Sequence, residues 1–333
     1  MIVLTQADVV RLLPMRECIK VVRDALTRLA KGEAVQPLRS GILFPDKRGV
    51  LASMPGWLKG AGAGAKLITV VFGNEGTAFD PHQGAVLLFE ARRGALVCVA
   101  DASSITAIRT AAATAVATDL LADQHARDLA ILGSGIQAET HLAALLLVRK
   151  AKRVRVWSRT ASRGRAFAGR ESTRHRINVE FMPTVREAVA GADVICTATS
   201  AKQPILESAW VAAGAHVNVV GSSNPAAREV DTALIKRARV FTDRRESCLA
   251  EAGDFIIPMK EGAIGESHLL GELGDLLLRT VPARSSASDV TLFKSLGIAV
   301  EDIAAIHHIY KKALRLKAGK RIRDFGGSRD MSP

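Results

Sequence analysis

The chain has 333 residues, 48% hydrophobic and 24% charged, about two domains' worth of ordinary globular polypeptide, which excludes a disordered, collagen-like or coiled-coil protein. The formal charge is +13, from 46 Lys plus Arg against 33 Asp plus Glu, which admits an anionic partner; yet only 4% of residues are aromatic and much of the excess lies in KKALRLKAGKRIR, 311–323. That segment spaces its charges around a helix, so no nucleic-acid partner is expected. No run of about 18 apolar residues is free of charge, and Asp8 and Arg11 interrupt the N-terminus, so neither a membrane span nor a signal peptide is expected. Cys18, Cys98, Cys196 and Cys248 lie 80, 98 and 52 residues apart. No pair has zinc or redox spacing, which points to free thiols in a reducing cytoplasm and to no metal site.

In chain order, apolar positions at helical spacing predict two helices over residues 5–31, joined near Pro14. Four short β-rich runs follow, 50–54, 64–72, 84–90 and 95–100, separated by turn residues, and these suggest hairpins of an antiparallel sheet. Helix returns at Thr106 in TAIRTAAATAVATDLLA, whose small residues suit close packing. After Asp123 strands alternate with helices, at 129–132, 153–157, 179–182, 194–198, 216–220 and 240–242, the pattern of a doubly wound parallel sheet. Gly-rich loops then lead to residues 270–278 and a last amphipathic helix, 300–316.

The motif Gly133-Ser134-Gly135-Ile136-Gln137-Ala138 follows the apolar run DLAIL and opens a helical pattern. It therefore matches G-x-G-x-x-A in its strand-to-helix setting, where glycines let backbone N–H groups approach a pyrophosphate at a helix N-terminus. The next strand ends in Ser158-Arg159-Thr160, whereas an NAD site usually places a carboxylate there for the ribose hydroxyls. A guanidinium and two hydroxyls suit a 2′-phosphate, so the expected cofactor is NADPH, with NADH possible.

Upstream stand three cations, Arg39 in QPLRSG, Lys66 in GAKLITV and Arg109 in TAIRTAAA. Lys66 in an apolar strand and Arg109 in an Ala-rich helix are poor places for an unpaired charge, so each should meet an anion. That anion is either a structural carboxylate or the carboxylate of a substrate, and the residues alone do not choose. His82, in the loop before a strand, is a candidate proton donor or substrate contact, although a lone His is more often structural.

The segments QPLRS, GAKLITV, PHQGAVLLFE, ITAIRTAAATAVAT, ILGSGIQAETH, VWSRT, EAVAGADVICTATS, GAHVNVVGSSNPAAREVD and TLFKSLGIAVEDIAA run in order over roughly residues 35 to 315. Together they resemble the ornithine cyclodeaminase and mu-crystallin superfamily. The resemblance implies an α/β fold in which a Rossmann-type doubly wound parallel sheet, residues 123–300, is inserted in an α+β substrate-binding and dimerisation domain, residues 1–122 plus 301–333. It implies that Arg39, Lys66 and Arg109 hold a substrate carboxylate and that Thr110, Gln137, Arg159 and Ser295 lie on the cofactor, to which Thr199 and Gly221 at the ends of two strands are added. Cyclodeaminases place an acidic base in the loop after the strand GAHVNVVG, but this chain has Gly221-Ser222-Ser223-Asn224-Pro225, with Ser223 at the acidic position. Glu229 and Asp231 follow, as they do in the family.

A serine hydroxyl unaided is too weak a base for a deamination. Ser223 together with WSRT and FKSLGIAVED looks like the mu-crystallin branch, whose enzymatic members reduce cyclic ketimines with NADPH. The expected reaction takes a pyrroline-2-carboxylate or piperideine-2-carboxylate type imine to the cyclic amino acid, with Lys66 or a water held by Ser223 supplying the proton. A cytoplasmic homodimer acting on a small imino or amino acid is the corresponding expectation. The rival readings are ornithine cyclodeamination, an alanine-type amino acid dehydrogenase, and a non-catalytic NADPH-dependent binder of a small ligand.

Overall fold

The computed structural model describes residues 1–74, 77–80, 82–323 and 325; of the C-terminal segment, residues 326–333 lie outside the described residues. The chain forms two compact units, one of residues 1–109 and 298–333 and one of residues 110–297. The division falls inside the Ala-rich helix rather than after it at residue 122, because the change of residue pattern marks where strand and helix begin to alternate, not where packing partners change.

The first unit opens with β1 (Ile2–Leu4), α1 (Gln6–Leu12) and α2 (Met15–Ala30). Thr5 and Asp8 form a capping box that starts α1, and Pro14 at the N-cap of α2 separates the two helices. Next come β2 (Ala34–Val35), β3 (Ser40–Leu43), β4 (Gly49–Leu58), β5 (Gly62–Val71), β6 (His82–Phe89), β7 (Leu96–Asp101) and α3 (Ala102–Leu121). Strands β4 to β7 pair antiparallel in sequence order, as the four β-rich runs predict. Strand β1, too short for a visible alternation, instead pairs parallel with β7.

The second unit alternates β8 (Asp128–Leu132), α4 (Ile136–Val148), β9 (Arg153–Trp157), α5 (Ala161–His175), β10 (Val179–Phe181), α6 (Val185–Val189), β11 (Val194–Thr197) and β12 (His216–Val219). It continues with α7 (Thr232–Arg237), β13 (Arg239–Thr242), α8 (Arg245–Glu251), α9 (Gly253–Lys260), β14 (Leu269–Glu272), α10 (Leu273–Leu278) and β15 (Thr291–Lys294). The sheet order is β10-β9-β8-β11-β12-β15-β13-β14, every pair parallel. This is the expected doubly wound sheet, extended by β14 and β15. β14 begins the 270–278 segment, β15 lies between it and the last helix where the sequence marks no element, and β15 is made a strand by partners some 50 to 75 residues away in sequence. The order reverses between β8 and β11, the switch point at whose strand ends ligands bind in such sheets. Nearly every residue of β8, β11, β12 and β15 is buried, as strands covered on both faces require.

The chain then returns to the first unit as α11 (Ala299–Leu316) and β16 (Lys320–Arg321). Helix α11 packs on α2 and on β4, β5 and β6. Glycine brings it close: a Cβ at Gly64 would lie 2.8 Å from Ile303 Cγ1. No helix among the described residues is long and apolar enough to cross a membrane.

Candidate active site

Within the first unit the alternation of β5 turns Lys66 inward between Gly64 and Ile68, onto the face that α11 covers. Its ammonium is 2% exposed and lies 3.1 Å from Asp302 Oδ2, with Thr106 Oγ1 at 3.3 Å. The other oxygen, Asp302 Oδ1, accepts from Arg109 Nε at 2.9 Å, and Glu301 Oε2 accepts from Arg109 NH1 at 3.0 Å. Structural carboxylates are thus present beside Lys66 and Arg109, which sequence reasoning left open. The signal for the two acids in the sequence is a Glu-Asp pair among the otherwise apolar first residues of the last helix, AVEDIAAI.

Arg39 lies near enough for its charge to depress Lys66, so a third cation acts on the pair of Lys66 and Arg109. Burial, then Arg109, pushes the Lys66 ammonium down to about 8, with Asp302 opposing. Burial penalises the Asp302 carboxylate, but Arg109 and Lys66 outweigh it and hold its pKa below the ordinary value. His82 starts β6, where its carbonyl accepts from Ser103 Oγ. Desolvation, Lys66 and Arg109 lower the pKa of its imidazole against the pull of Asp80, which keeps the ring neutral near pH 7.

In the second unit the turn Gly133 to Gln137 joins β8 to α4 at the switch point. Gly133 has φ +130°, and a Cβ there would sit 2.4 Å from the Ala198 carbonyl, so the turn itself requires glycine. At Gly135, the N-cap, a Cβ would meet nothing within 4 Å, and no side chain caps the helix. The first-turn N–H groups and the open approach at Gly135 fit a pyrophosphate. Ile136 is exposed, while Gln137 Oε1 and Ser295 Oγ are buried with no hydrogen-bond partner among the described residues. Orphaned buried polar atoms of this kind fit a polar ligand such as a dinucleotide. Ser134 and Ser158 share a hydrogen bond of 2.8 Å; Arg159 and Thr160 are exposed at the end of β9, and Thr160 leaves the N-terminus of α5 uncapped. Thr110 is buried on α3.

Thr199 and Gly221 also have structural roles. The buried Glu229 carboxylate accepts from Thr197 Oγ1 at 2.6 Å, from Thr199 N and Oγ1 at 2.8 and 2.7 Å, and from Gly221 N at 2.7 Å. Asp231 accepts from Leu234 N and Ser208 N, capping α7. Ser223 is exposed on the loop after β12, and the backbone of Ser222 beside it is held by the buried Lys294, itself paired with Asp254 at 3.0 Å.

A glycine-rich turn at the switch point of a parallel doubly wound sheet defines a Rossmann-type dinucleotide-binding protein. More closely, the family model for the ornithine cyclodeaminase/mu-crystallin family matches residues 1–317, and the chain belongs to that family. It is 39% identical over 290 residues to the ketimine reductase mu-crystallin of Mus musculus, covering 86% of this chain and 88% of that one. It superposes with a TM-score of 0.94 on Thermococcus litoralis Delta(1)-pyrroline-2-carboxylate reductase in complex with NADH and L-proline, at 32% identity over 97% of this chain and 100% of that one. An archaeal alanine dehydrogenase dimer with bound NAD gives a TM-score of 0.92 at 27% identity, over 98% and 99% of the two chains.

Proposed function

We propose that the protein is an NADPH-dependent reductase of cyclic ketimine carboxylates, taking pyrroline-2-carboxylate or piperideine-2-carboxylate to the cyclic amino acid. The observation that carries this is the absence of an available acid in the 221–225 loop: Ser223 stands there, while Glu229 and Asp231, which follow, are engaged by backbone and hydroxyl donors. A deaminating enzyme needs a base on its amine substrate, whereas reduction of a ring imine needs only a clamped carboxylate and a proton at the ring nitrogen. The three cations Arg39, Lys66 and Arg109 are of the type that receives such a carboxylate. Bound NADPH supplies the hydride to the imine carbon. The Gly133–Gln137 turn would hold its pyrophosphate and Ser158, Arg159 and Thr160 its 2′-phosphate, with Thr110, Thr199, Gly221 and Ser295 as further contacts. Lys66, lowered to about 8, is an acid able to release a proton near neutral pH, with a water held by Ser223 as the second donor.

In this reading the first unit also dimerises. One face of its sheet is covered by helices, but the other presents Leu51, Trp57 and Leu67, each 38–39% exposed, beside Ile42 at 68%. An antiparallel sheet face open to water is normally polar, so an apolar one suits a second copy of the chain. The alanine dehydrogenase relative is a dimer. A cytoplasmic location is supported by four buried free cysteines whose thiols burial raises above their ordinary range.

The test follows NADPH oxidation with each ring imine and with pyruvate plus ammonia, and ammonia release from ornithine with NAD. Imine reduction with little turnover of the others is expected. Robust ammonia release without imine reduction would return the protein to cyclodeamination; preference for pyruvate plus ammonia would make it an amino acid dehydrogenase; turnover of none would leave a binder.

A further inference from the structure

The Glu301-Asp302 pair is the one element of the cation cluster to which the reading above gives no role. Asp302 is fully buried and divides its two oxygens between two cations, Oδ1 to Arg109 Nε at 2.9 Å and Oδ2 to Lys66 Nζ at 3.1 Å, whereas Glu301 Oε2 meets Arg109 at NH1. The groups around Lys66 are Arg109 on α3, Asp302 and Glu301 on α11, Arg39 before β3, His82 on β6 and Cys18 on α2, the last feeling Glu301, Arg109 and Asp302. Among these the Asp302 carboxylate is the anion that favours a charged Lys66. A buried ammonium with two guanidiniums near it would otherwise lose its proton.

We propose that Asp302 is a positioning residue for the reductase: its shared carboxylate fixes the spacing of Lys66 and Arg109 and keeps Lys66 charged to receive the substrate carboxylate. This rests on imine reduction as the activity. Lys66 titrates near 8, so kcat/KM falls as pH rises through that value. The loss is not unfolding: between about 8 and the ordinary 10.5 the unfolded chain holds the extra proton, so this group adds to stability as pH rises.

The experiment is the pH profile of kcat/KM for pyrroline-2-carboxylate, with L-proline binding followed by calorimetry, in wild type, Asp302→Asn, Asp302→Glu and Glu301→Gln. Asp302→Asn keeps the shape and removes the charge; its alkaline limb should move down by about one pH unit or more, with KM rising about tenfold. Asp302→Glu keeps the charge and moves it by one methylene, so its limb should stay while kcat/KM falls. Glu301→Gln should weaken proline binding and leave the limb in place. An unmoved limb in Asp302→Asn, or wild-type kcat/KM in Asp302→Glu, would overturn the proposal. Should Asp302→Asn fail to fold, Asp302→Glu decides alone. A wild type that binds proline but reduces no imine defeats the assigned activity, and the effect of Asp302→Asn on proline binding then decides the positioning role separately.

Discussion

Removing Arg109 would strip the guanidinium from two buried carboxylates at once. Asp302 would keep Lys66, but Glu301 would lose the contact to Arg109 NH1. Breaking a buried pair by deleting one partner costs about 3–5 kcal/mol, so Arg109→Leu should lower the melting temperature sharply as well as abolish reduction. Arg109→Lys keeps the charge and loses the forked geometry; it should melt near wild type while kcat/KM for the imine drops about tenfold or more. Thermal melts beside steady-state kinetics separate the two, and a well-folded, active Arg109→Leu would deny the cluster both roles. Arg159 is the opposite case. Exposed at the end of β9, it can be replaced without disturbing a core, and Arg159→Asp should shift the NADPH:NADH ratio of kcat/KM by about 10- to 100-fold towards NADH. Equal use of the two cofactors by wild type would remove the basis for that assignment.

At the scale of elements, the β8–α4 turn separates a glycine that the turn itself requires from one where a Cβ would have open space. Gly133→Ala meets the Ala198 carbonyl at 2.4 Å at positive φ and should destabilise the second unit, whereas Gly135→Ala meets no atom within 4 Å. The second variant is expected to melt as wild type and yet bind NADPH more weakly, because its methyl group points where the pyrophosphate must approach. Fluorescence titration with NADPH alongside melting checks this; unchanged affinity in Gly135→Ala would place the pyrophosphate elsewhere. Glu229 works at the same scale. Its one carboxylate ties the ends of β11 and β12 together through Thr197, Thr199 and Gly221, and burial followed by the charge of Asp254 raises its pKa.

At the scale of the whole molecule, the apolar sheet face of the first unit and the charge of +13 oppose each other: the face favours association, and like charge resists it. The proposed dimer requires short-range burial to outweigh charge that salt screens within about 8–10 Å. Leu67→Lys places a cation on that face without touching the core side of β5, so it should reduce the sedimentation mass to that of one chain while leaving the melting of the isolated chain little changed. A wild-type protein that sediments as a single chain would end the dimer assignment.

The parallel doubly wound sheet was legible in the sequence, because strand and helix alternate there at their own periods and the glycine motif sits between them. So was the four-stranded antiparallel run, whose hairpins are local. The family resemblance carried over nearly the whole chain for the same reason, motifs in fixed order. What the sequence alone left open was the anion beside Lys66 and Arg109: its carboxylates lie on a helix about 190 to 235 residues further along, brought to β5 only by the return of α11 across the sheet. The strands β1, β14 and β15 were hidden likewise, since each is short and owes its conformation to partners that are remote in sequence. Periodicity and turn chemistry act between neighbours and can be read from order alone; the pairing of a buried charge is decided by which distant residue shares its low-dielectric surroundings, and only the folded chain determines that.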